Sequence, residues 1–242
     1  MFILGVGLRA FPTFFAAGTP PPRQVVAAFA LTQAGTAAVV YSYLARVYST
    51  SDPWAVEDAG YVALGLGLAW AASFTGFWRA PSRIRPASRS SAYLLQPAMA
   101  WLVAASALLV GFGIARALAG AGLQARELDA ARRIVGVGVV LSTIAGMAQM
   151  VLPEFASERL LGRQGAWRGL LFGVLLSTAT VLRAGARLLA GWVPGDLVYW
   201  SMSLAGVLAL IVVAMLGYYF VRGVRSFELV LEAAAQPSEG RR

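Results

Sequence analysis

The stretch LVYWSMSLAGVLALIVVAMLGYYFV, residues 197–221, decides the fold class of this chain. It contains no charged side chain, and it is longer than the roughly 20 apolar residues that a helix needs to cross a bilayer. Five further apolar stretches lie at about 25–45, 60–78, 92–115, 134–152 and 166–190. The sequence therefore predicts an all-α, polytopic bundle of six full transmembrane spans.

Residues 1–17 are apolar as well, but Arg9 and Pro12 interrupt them. We expect a short seventh helix that either begins within the membrane or lacks an upstream portion. Because no basic region precedes this stretch and no small-residue cleavage site follows it, it is not expected to be a secretory signal.

The composition supports a membrane location and excludes several classes of protein. Hydrophobic residues make up 59% of the chain and charged residues 13%, and such a chain is too apolar for a water-soluble domain. All 20 basic residues are arginine, so no lysine can form a retinal Schiff base. Histidine and cysteine are absent, which removes the usual ligands of haem, zinc, copper and iron–sulfur clusters. We expect no metal site and no cofactor, and haem is disfavoured.

The absence of histidine also removes the commonest general base. No nucleophile–base pair, phosphate-binding loop or CxxC motif is visible, so an enzyme is not expected. The high arginine content does not indicate nucleic-acid binding, because the arginines fall between apolar stretches and do not form one soluble face.

The arginines instead indicate the topology. The loops on one side, 16–24, 79–91, 153–168 and the tail after 221, hold twelve arginines and five acidic residues. The opposite loops, 46–59, 116–133 and 183–196, hold seven arginines and six acidic residues. The positive-inside rule therefore predicts a multi-pass protein of the cell (inner) membrane with a cytoplasmic C-terminus.

Two phrases of the sequence are similar: ILGVGLRAFPTFF at 3–15 and IAGMAQMVLPEFA at 144–156. A single offset of 141 aligns Gly5 with Gly146, Pro12 with Pro153, and Phe14 with Phe155. Three predicted spans, 25–45, 60–78 and 92–115, lie between the two helices that carry the phrases, so both copies point the same way across the membrane, as in a parallel repeat. We interpret the phrase as a device that ends a helix: glycine permits close packing, and proline stops the helix at the interface.

The domain organisation follows from this repeat. One transmembrane domain is expected over 1–229, with repeat one at about 1–115 and repeat two at about 130–229. The polar tail, 230–242, is expected to be disordered in the cytoplasm.

Four stretches resemble the NnrS family of polytopic membrane proteins. They are GVGLRAFPTFF (5–15), PPPRQVVAAFALTQAGTAAVVYSYLARV (20–47), LDAARRIVGVGVVLSTIAGMAQMVLPEF (128–155) and RLLAG (187–191). The resemblance implies a role linked to the nitric oxide response and a distant likeness to the haem–copper oxidase catalytic subunit. It covers nearly the whole chain and corresponds to the C-terminal part of the longer family members.

The chain departs from the family at one position. The helix that resembles 134–152 is commonly introduced by an arginine–histidine pair in the family, whereas Arg132 and Arg133 occupy that place here. Haem or copper binding therefore does not carry over to this chain.

The candidate ligand-binding residues are polar groups in or beside the spans: Arg9, Arg46, Arg183, Arg187 and Gln149. Each arginine either extends to the headgroups or lines a cleft for an anionic ligand. Gln33, Gln96 and Gln149 are the amides deep in spans, where interhelical hydrogen bonds are expected.

Three functions remain open. The first is a non-catalytic membrane protein that binds a hydrophobic or anionic ligand, or a partner, through its bundle. The second is an accessory subunit of a larger respiratory or photosynthetic membrane complex, with other membrane subunits as partners. The third is a small-solute transporter, which the lack of acidic residues within the spans disfavours.

Overall fold

The computed structural model describes residues 11, 12, 15, 17–49, 52–79, 89–156 and 165–235. It contains seven α-helices in these ranges: α1 (Pro22–Tyr48), α2 (Trp54–Ser73), α3 (Arg89–Leu118), α4 (Ala125–Arg133), α5 (Ser142–Ala156), α6 (Gly165–Leu188) and α7 (Gly195–Ala235). A π-helical segment, Ile134–Leu141, joins α4 to α5 without a break. No β-strand occurs in the described ranges, so the predicted all-α class is confirmed.

Five helical stretches are long and apolar enough to cross a membrane: Pro22–Tyr48, Arg89–Leu118, Ala125–Gln149, Ala166–Leu188 and Gly195–Arg222. This observation supports a membrane-embedded protein. Helix α2 matches the remaining predicted span but does not reach the same hydropathy. Its first turns carry Glu57 and Asp58, and its apolar stretch begins only at Ala59.

Helices α1 and α2 form a closely packed antiparallel pair. A methyl group on Gly35 would lie 2.5 Å from the backbone nitrogen of Leu64, and one on Gly60 would lie 3.0 Å from the carbonyl oxygen of Gly35. A methyl group on Gly67 would overlap the Thr32 hydroxyl. Small residues thus bring the two backbones together, as they do in membrane helix pairs where no hydrophobic driving force acts between helices.

Helix α3 is the central element, because it packs against α2, α4, the π-helical segment, α5 and α6. The fully buried side chains of its middle are apolar and small to medium in size, among them Leu94, Leu95, Ala98 and Ala105. Phe11 and Phe15, from the N-terminal part of the chain, pack into the same core. The core of the bundle therefore surrounds α3.

The π-helical segment lies against the centre of α3. A methyl group on Gly138 would lie 2.8 Å from Cγ of Trp101, so the wider helix and the glycine together make room for the indole ring. π-Helices are rare and usually short, and they commonly occur at functional positions. The stretch IVGVGVVL forms eight residues of this geometry.

Helix α7 is the least buried of the five candidate spans. It continues to Ala235, so the helix enters the segment 230–242 that the sequence assigns to a disordered tail. Residues 236–242 lie outside the described part of the chain.

Candidate functional site

A groove of about 700 Å³ lies between α3 and α6 on the side of the bundle. Its volume falls in the range of small-molecule sites. The α3 wall is formed by Tyr93, Gln96, Pro97 and Ala100, the α6 wall runs from Leu170 to Leu182, and Phe77, Trp78 and Arg79 border it from the segment after α2. We call this feature the α3–α6 groove.

The floor of the groove depends on a proline and a glycine. Pro97 has no backbone N–H, so the carbonyl of Tyr93, four residues earlier, lacks its usual helical partner. Gly173 of α6 packs against this carbonyl so closely that a methyl group there would be 2.3 Å from the Tyr93 oxygen. Gly169 lies one turn earlier, and a methyl group there would be 2.5 Å from the carbonyl oxygen of Ser90. The pair Gly169 and Gly173 therefore brings α6 onto the α3 backbone.

Two hydrogen bonds hold the polar groups of the groove. Gln96 Nε2 donates to the backbone carbonyl of Arg79 at 2.6 Å, which ties the segment after α2 to α3. Trp101 Nε1 donates to Ser177 Oγ at 3.2 Å, which ties α3 to α6. Both bonds position polar groups within an otherwise apolar wall.

The chain enters the groove through a tight turn after α2. Gly76 has a φ of +69°, a conformation that side chains disfavour, and a methyl group there would contact Ala17 at 2.6 Å. The turn is followed by Phe77 and Trp78, whose rings meet edge to face at 5.4 Å. This aromatic pair forms the rim of the groove beside Arg79.

Arg89 lies one turn before Tyr93 on the same face of α3. Its Nε atom is buried and has no hydrogen-bond partner. Burying a guanidinium nitrogen without an acceptor destabilises the fold, and it does so more than burying a neutral polar group without a partner. Arg89 does not line the groove itself, but it places an unsatisfied cationic donor one turn beyond the end of the α3 wall.

The other end of the bundle holds the ion pairs. Glu127 is 4% exposed and accepts three hydrogen bonds from Arg116: Oε1 accepts from Nη2 at 2.6 Å and from Nε at 3.1 Å, and Oε2 accepts from Nε at 3.3 Å. It also accepts the backbone N–H of Gln124 at 2.9 Å, which caps α4. These bonds fix the α3–α4 connection.

Arg46 and Arg187 make their contacts at this same end. Arg46 Nε donates to Asp52 at 2.9 Å, and its guanidinium also pairs with Glu57. Arg187 Nε lies 2.7 Å from Asp129 Oδ2; because the N–H is poorly directed, this contact is an ion pair rather than an aligned hydrogen bond. Arg46 and Arg187, two of the predicted ligand-binding arginines, are thus paired with carboxylates of this protein.

Asp58 is buried beside this network. Its Oδ1 accepts the backbone N–H of Leu123 at 3.1 Å, while its Oδ2 is buried without a partner. Burial raises the pKa of this carboxyl above its usual value, and the bond from Leu123 acts in the opposite direction. Asp58 lies just before the apolar stretch of α2. Because it accepts the backbone N–H of Leu123, it ties α2 to the α3–α4 connection at this end of the bundle.

The remaining predicted site residues are dispersed. Arg183 is half-buried on α6. Gln149 is 6% exposed, and neither of its side-chain polar atoms has a hydrogen-bond partner, so the predicted interhelical bond is wrong for this residue. Arg9, Gly5 and Phe14 lie outside the described residues.

The second copy of the repeated phrase is described in part. A methyl group on Gly146 would lie 2.7 Å from Leu95 Cγ, so this glycine permits the contact of α5 with α3. The backbone of Pro153 and Phe155 belongs to α5, which ends three residues after the proline, at Ala156. The side chains of these two residues are outside the described part.

The sequence-based reasoning did not find the α3–α6 groove. The available signals were Pro97 inside an apolar span and the Gly169–Gly173 spacing, which is typical of close helix packing in membranes. Neither signal reveals that a groove lies beside the contact of the two helices.

The fold and site define a helical membrane-protein bundle with a lateral, mostly apolar groove. Among the described residues, no group of three or more His, Cys, Asp or Glu side chains is placed to hold a metal ion. Comparisons with protein-family models, with characterised proteins and with solved structures find no match to this chain.

Proposed function

We propose that this chain is a non-catalytic integral membrane protein that binds an amphiphilic ligand in the α3–α6 groove. The single observation that supports the proposal best is the groove itself, which combines an apolar wall with a few fixed polar groups. Ligand sites in proteins generally have this composition. The resemblance to the NnrS family, with its link to nitric oxide, belongs to the same proposal.

The proposed topology has six spans, with α2 included. The apolar stretch that begins at Ala59 continues past the end of α2 to Trp78, which gives the roughly 20 apolar residues that a span needs. The two acidic residues of α2 lie in its first turns, where they reach the ion-pair network at the end of the bundle. The arginine distribution then puts the start of α3 and the end of α7 in the cytoplasm.

The helix boundaries support the proposed parallel repeat. Shifting Pro22–Tyr48 by 141 gives 163–189, close to Gly165–Leu188, and shifting the start of α2 gives 195, where α7 begins. The partners of the two equivalent arginines differ, because Arg46 pairs with carboxylates beside α2, whereas Arg187 pairs with Asp129 of α4. In this proposal the second copy has diverged to pack on α4.

The binding proposal is tested by blocking the groove. Val174 lines it and is 53% exposed, so Val174→Trp fills the groove without disturbing the core. Val207 of α7 is 52% exposed and outside the groove, so Val207→Trp is the matched control. Molecules that co-purify with each protein in mild detergent are extracted and identified by mass spectrometry.

We expect the Val174→Trp protein to lose a molecule that the wild-type and Val207→Trp proteins both retain. Retention by all three would contradict a ligand in the groove. The absorption spectrum of the same preparations tests the non-catalytic assignment, because stoichiometric bound haem would contradict it.

The exposed face of α7 favours a second candidate, an accessory subunit of a larger membrane complex. Tyr199, Trp200 and Tyr218 are each more than 60% exposed along this helix, and aromatic residues are enriched in protein interfaces. Native mass spectrometry after gentle extraction separates the candidates. A 25.5 kDa species without partners would contradict the subunit proposal.

A further inference from the structure

We infer that the ligand of the α3–α6 groove is an anionic phospholipid of the cytoplasmic leaflet, with one acyl chain between the helices and the phosphate on Arg89. The inference rests on the proposed function, because it names the ligand of the same groove. Three features of the described residues carry it: the length of the groove, the unsatisfied Arg89, and the absence of acidic lining residues.

The length of the groove fits one leaflet. The α6 wall runs from Leu170 to Leu182, which corresponds to about 18 Å along the helix axis. The hydrocarbon core of a bilayer is about 30 Å thick, so one leaflet contributes about 15 Å. An acyl chain that enters beside the start of α6 would therefore follow the groove to the middle of the bilayer.

The groove is open to the lipid along this length. Val174 and Val181 of its α6 wall are both more than half exposed, so a chain can enter sideways from the bilayer without crossing the bundle. The wall that it meets is mostly apolar, and the contact of Gly173 with the Tyr93 carbonyl keeps the floor closed. In a bilayer, the acyl chains of lipids surround this exposed side of the groove, so they are the apolar groups most available to enter it.

The charges select the headgroup. Arg89 Nε is buried without an acceptor, and Leu170, the first residue of the α6 wall, follows Gly169, which contacts the Ser90 backbone next to Arg89. Arg89 does not line the groove itself, but a phosphate at the entrance beside Leu170 would lie within about one helical turn of its position on α3. Arg79 is the charged residue among the described lining residues, and none of them is acidic. An anionic lipid is therefore favoured over a zwitterionic one.

Trp78 is a further residue of interfacial type that borders the groove. It is exposed and borders the groove beside Arg79. Tryptophan and arginine together are typical of the headgroup level of a bilayer. The border of the groove thus carries residues typical of the headgroup level, whereas its α6 wall is mostly apolar.

The test compares phosphatidylglycerol with phosphatidylcholine of the same acyl chains. Delipidated full-length protein in mild detergent is titrated with each lipid, and binding is followed by native mass spectrometry and by the midpoint of thermal unfolding. We expect wild-type protein to bind phosphatidylglycerol about fivefold more tightly, the contribution of one arginine near a charged lipid. Arg89→Gln should remove this preference.

Arg23→Gln is the matched control, because Arg23 is exposed at the start of α1 on the same proposed side of the membrane, and α1 packs on α2 rather than on α3 or α6. This variant should keep the preference. Val174→Trp should weaken the binding of both lipids, whereas Val207→Trp should bind like wild type. Inorganic phosphate alone should not raise the unfolding midpoint.

Several results would overturn the inference. Equal affinity of wild type for the two lipids would remove the role of the headgroup, yet would leave the groove as a site for an apolar ligand. Loss of the preference in both Arg89→Gln and Arg23→Gln would indicate diffuse surface charge. Stabilisation by inorganic phosphate as strong as that by lipid would identify an ion site. Unchanged lipid binding in Val174→Trp would show that the acyl chain does not lie in the groove. That result would contradict the proposed function as well.

Discussion

Replacing Glu127 by alanine should be the most destabilising single change at the ion-pair end of the bundle. The carboxylate is buried, accepts three hydrogen bonds from Arg116 and also caps α4 by accepting the backbone N–H of Gln124. A hydrogen bond to a charged group contributes about 1.5–3 kcal/mol, and a helix cap contributes about 1 kcal/mol. We therefore expect Glu127→Ala to lower the free energy of unfolding by about 3 kcal/mol.

The variant series separates the two contributions. Glu127→Gln keeps an oxygen that can accept the Gln124 N–H but loses the charge, so it should cost less than alanine. The double variant Arg116→Met with Glu127→Met removes both charges and should be more stable than Glu127→Ala, because it leaves no unpaired guanidinium. Asp52→Asn is the control: Asp52 is 69% exposed beside Arg46, and an exposed pair contributes about 0–1 kcal/mol.

The assay is unfolding by heat or by denaturing detergent, followed by the fluorescence of the seven tryptophans. If Glu127→Ala and Asp52→Asn cost the same, the burial argument is refuted. If the double variant is less stable than Glu127→Ala, the unpaired-charge argument is refuted.

Three further perturbations test other parts of the bundle in the same assay. Gly173→Ala should destabilise by about 1–3 kcal/mol through overpacking against α3, whereas Gly206→Ala, with no atom within 4 Å of the added methyl, should not; equal effects would contradict the close contact. Gln149→Met should stabilise by about 1–3 kcal/mol, because it removes two buried polar atoms without partners; a loss of stability would reveal a partner for the amide. Burial raises the pKa of Asp58, so the folded protein binds the carboxyl proton more tightly than the unfolded chain does. The free energy of unfolding should therefore fall as the pH rises from about 4, the ordinary pKa of Asp, through the raised pKa. Asp58→Asn keeps an acceptor for Leu123 and should remove that part of the pH dependence; an unchanged profile would contradict it.

The helical class and most of the helix positions were predictable from the sequence, because long uncharged stretches such as 197–221 leave few alternatives in a bilayer. Helix α2 shows where hydropathy alone is insufficient. Its acidic first turns reduce its average hydropathy, although Glu57 is paired with Arg46 and Asp58 with the Leu123 backbone. Ion pairing across helices is not visible in a single apolar segment.

The candidate site was less predictable. Arg46 and Arg187 looked like ligand-binding residues because each ends an apolar stretch, but their partners, Glu57 and Asp129, come from helices whose neighbours only the fold determines. The groove depends on how Gly173 meets the carbonyl that Pro97 leaves unpaired. Such a contact between distant helices has no counterpart in the local sequence.

The close pairing of α1 with α2 has a consequence for biosynthesis. Both helices leave the ribosome before α3, and their glycine-mediated contact needs no later part of the chain. The central helix α3, in contrast, finds α5 and α6 as partners only after they have been synthesised. Assembly is therefore expected to start with a helical hairpin that is complete on insertion, and α3 must remain partly solvated by lipid until the second half of the protein arrives.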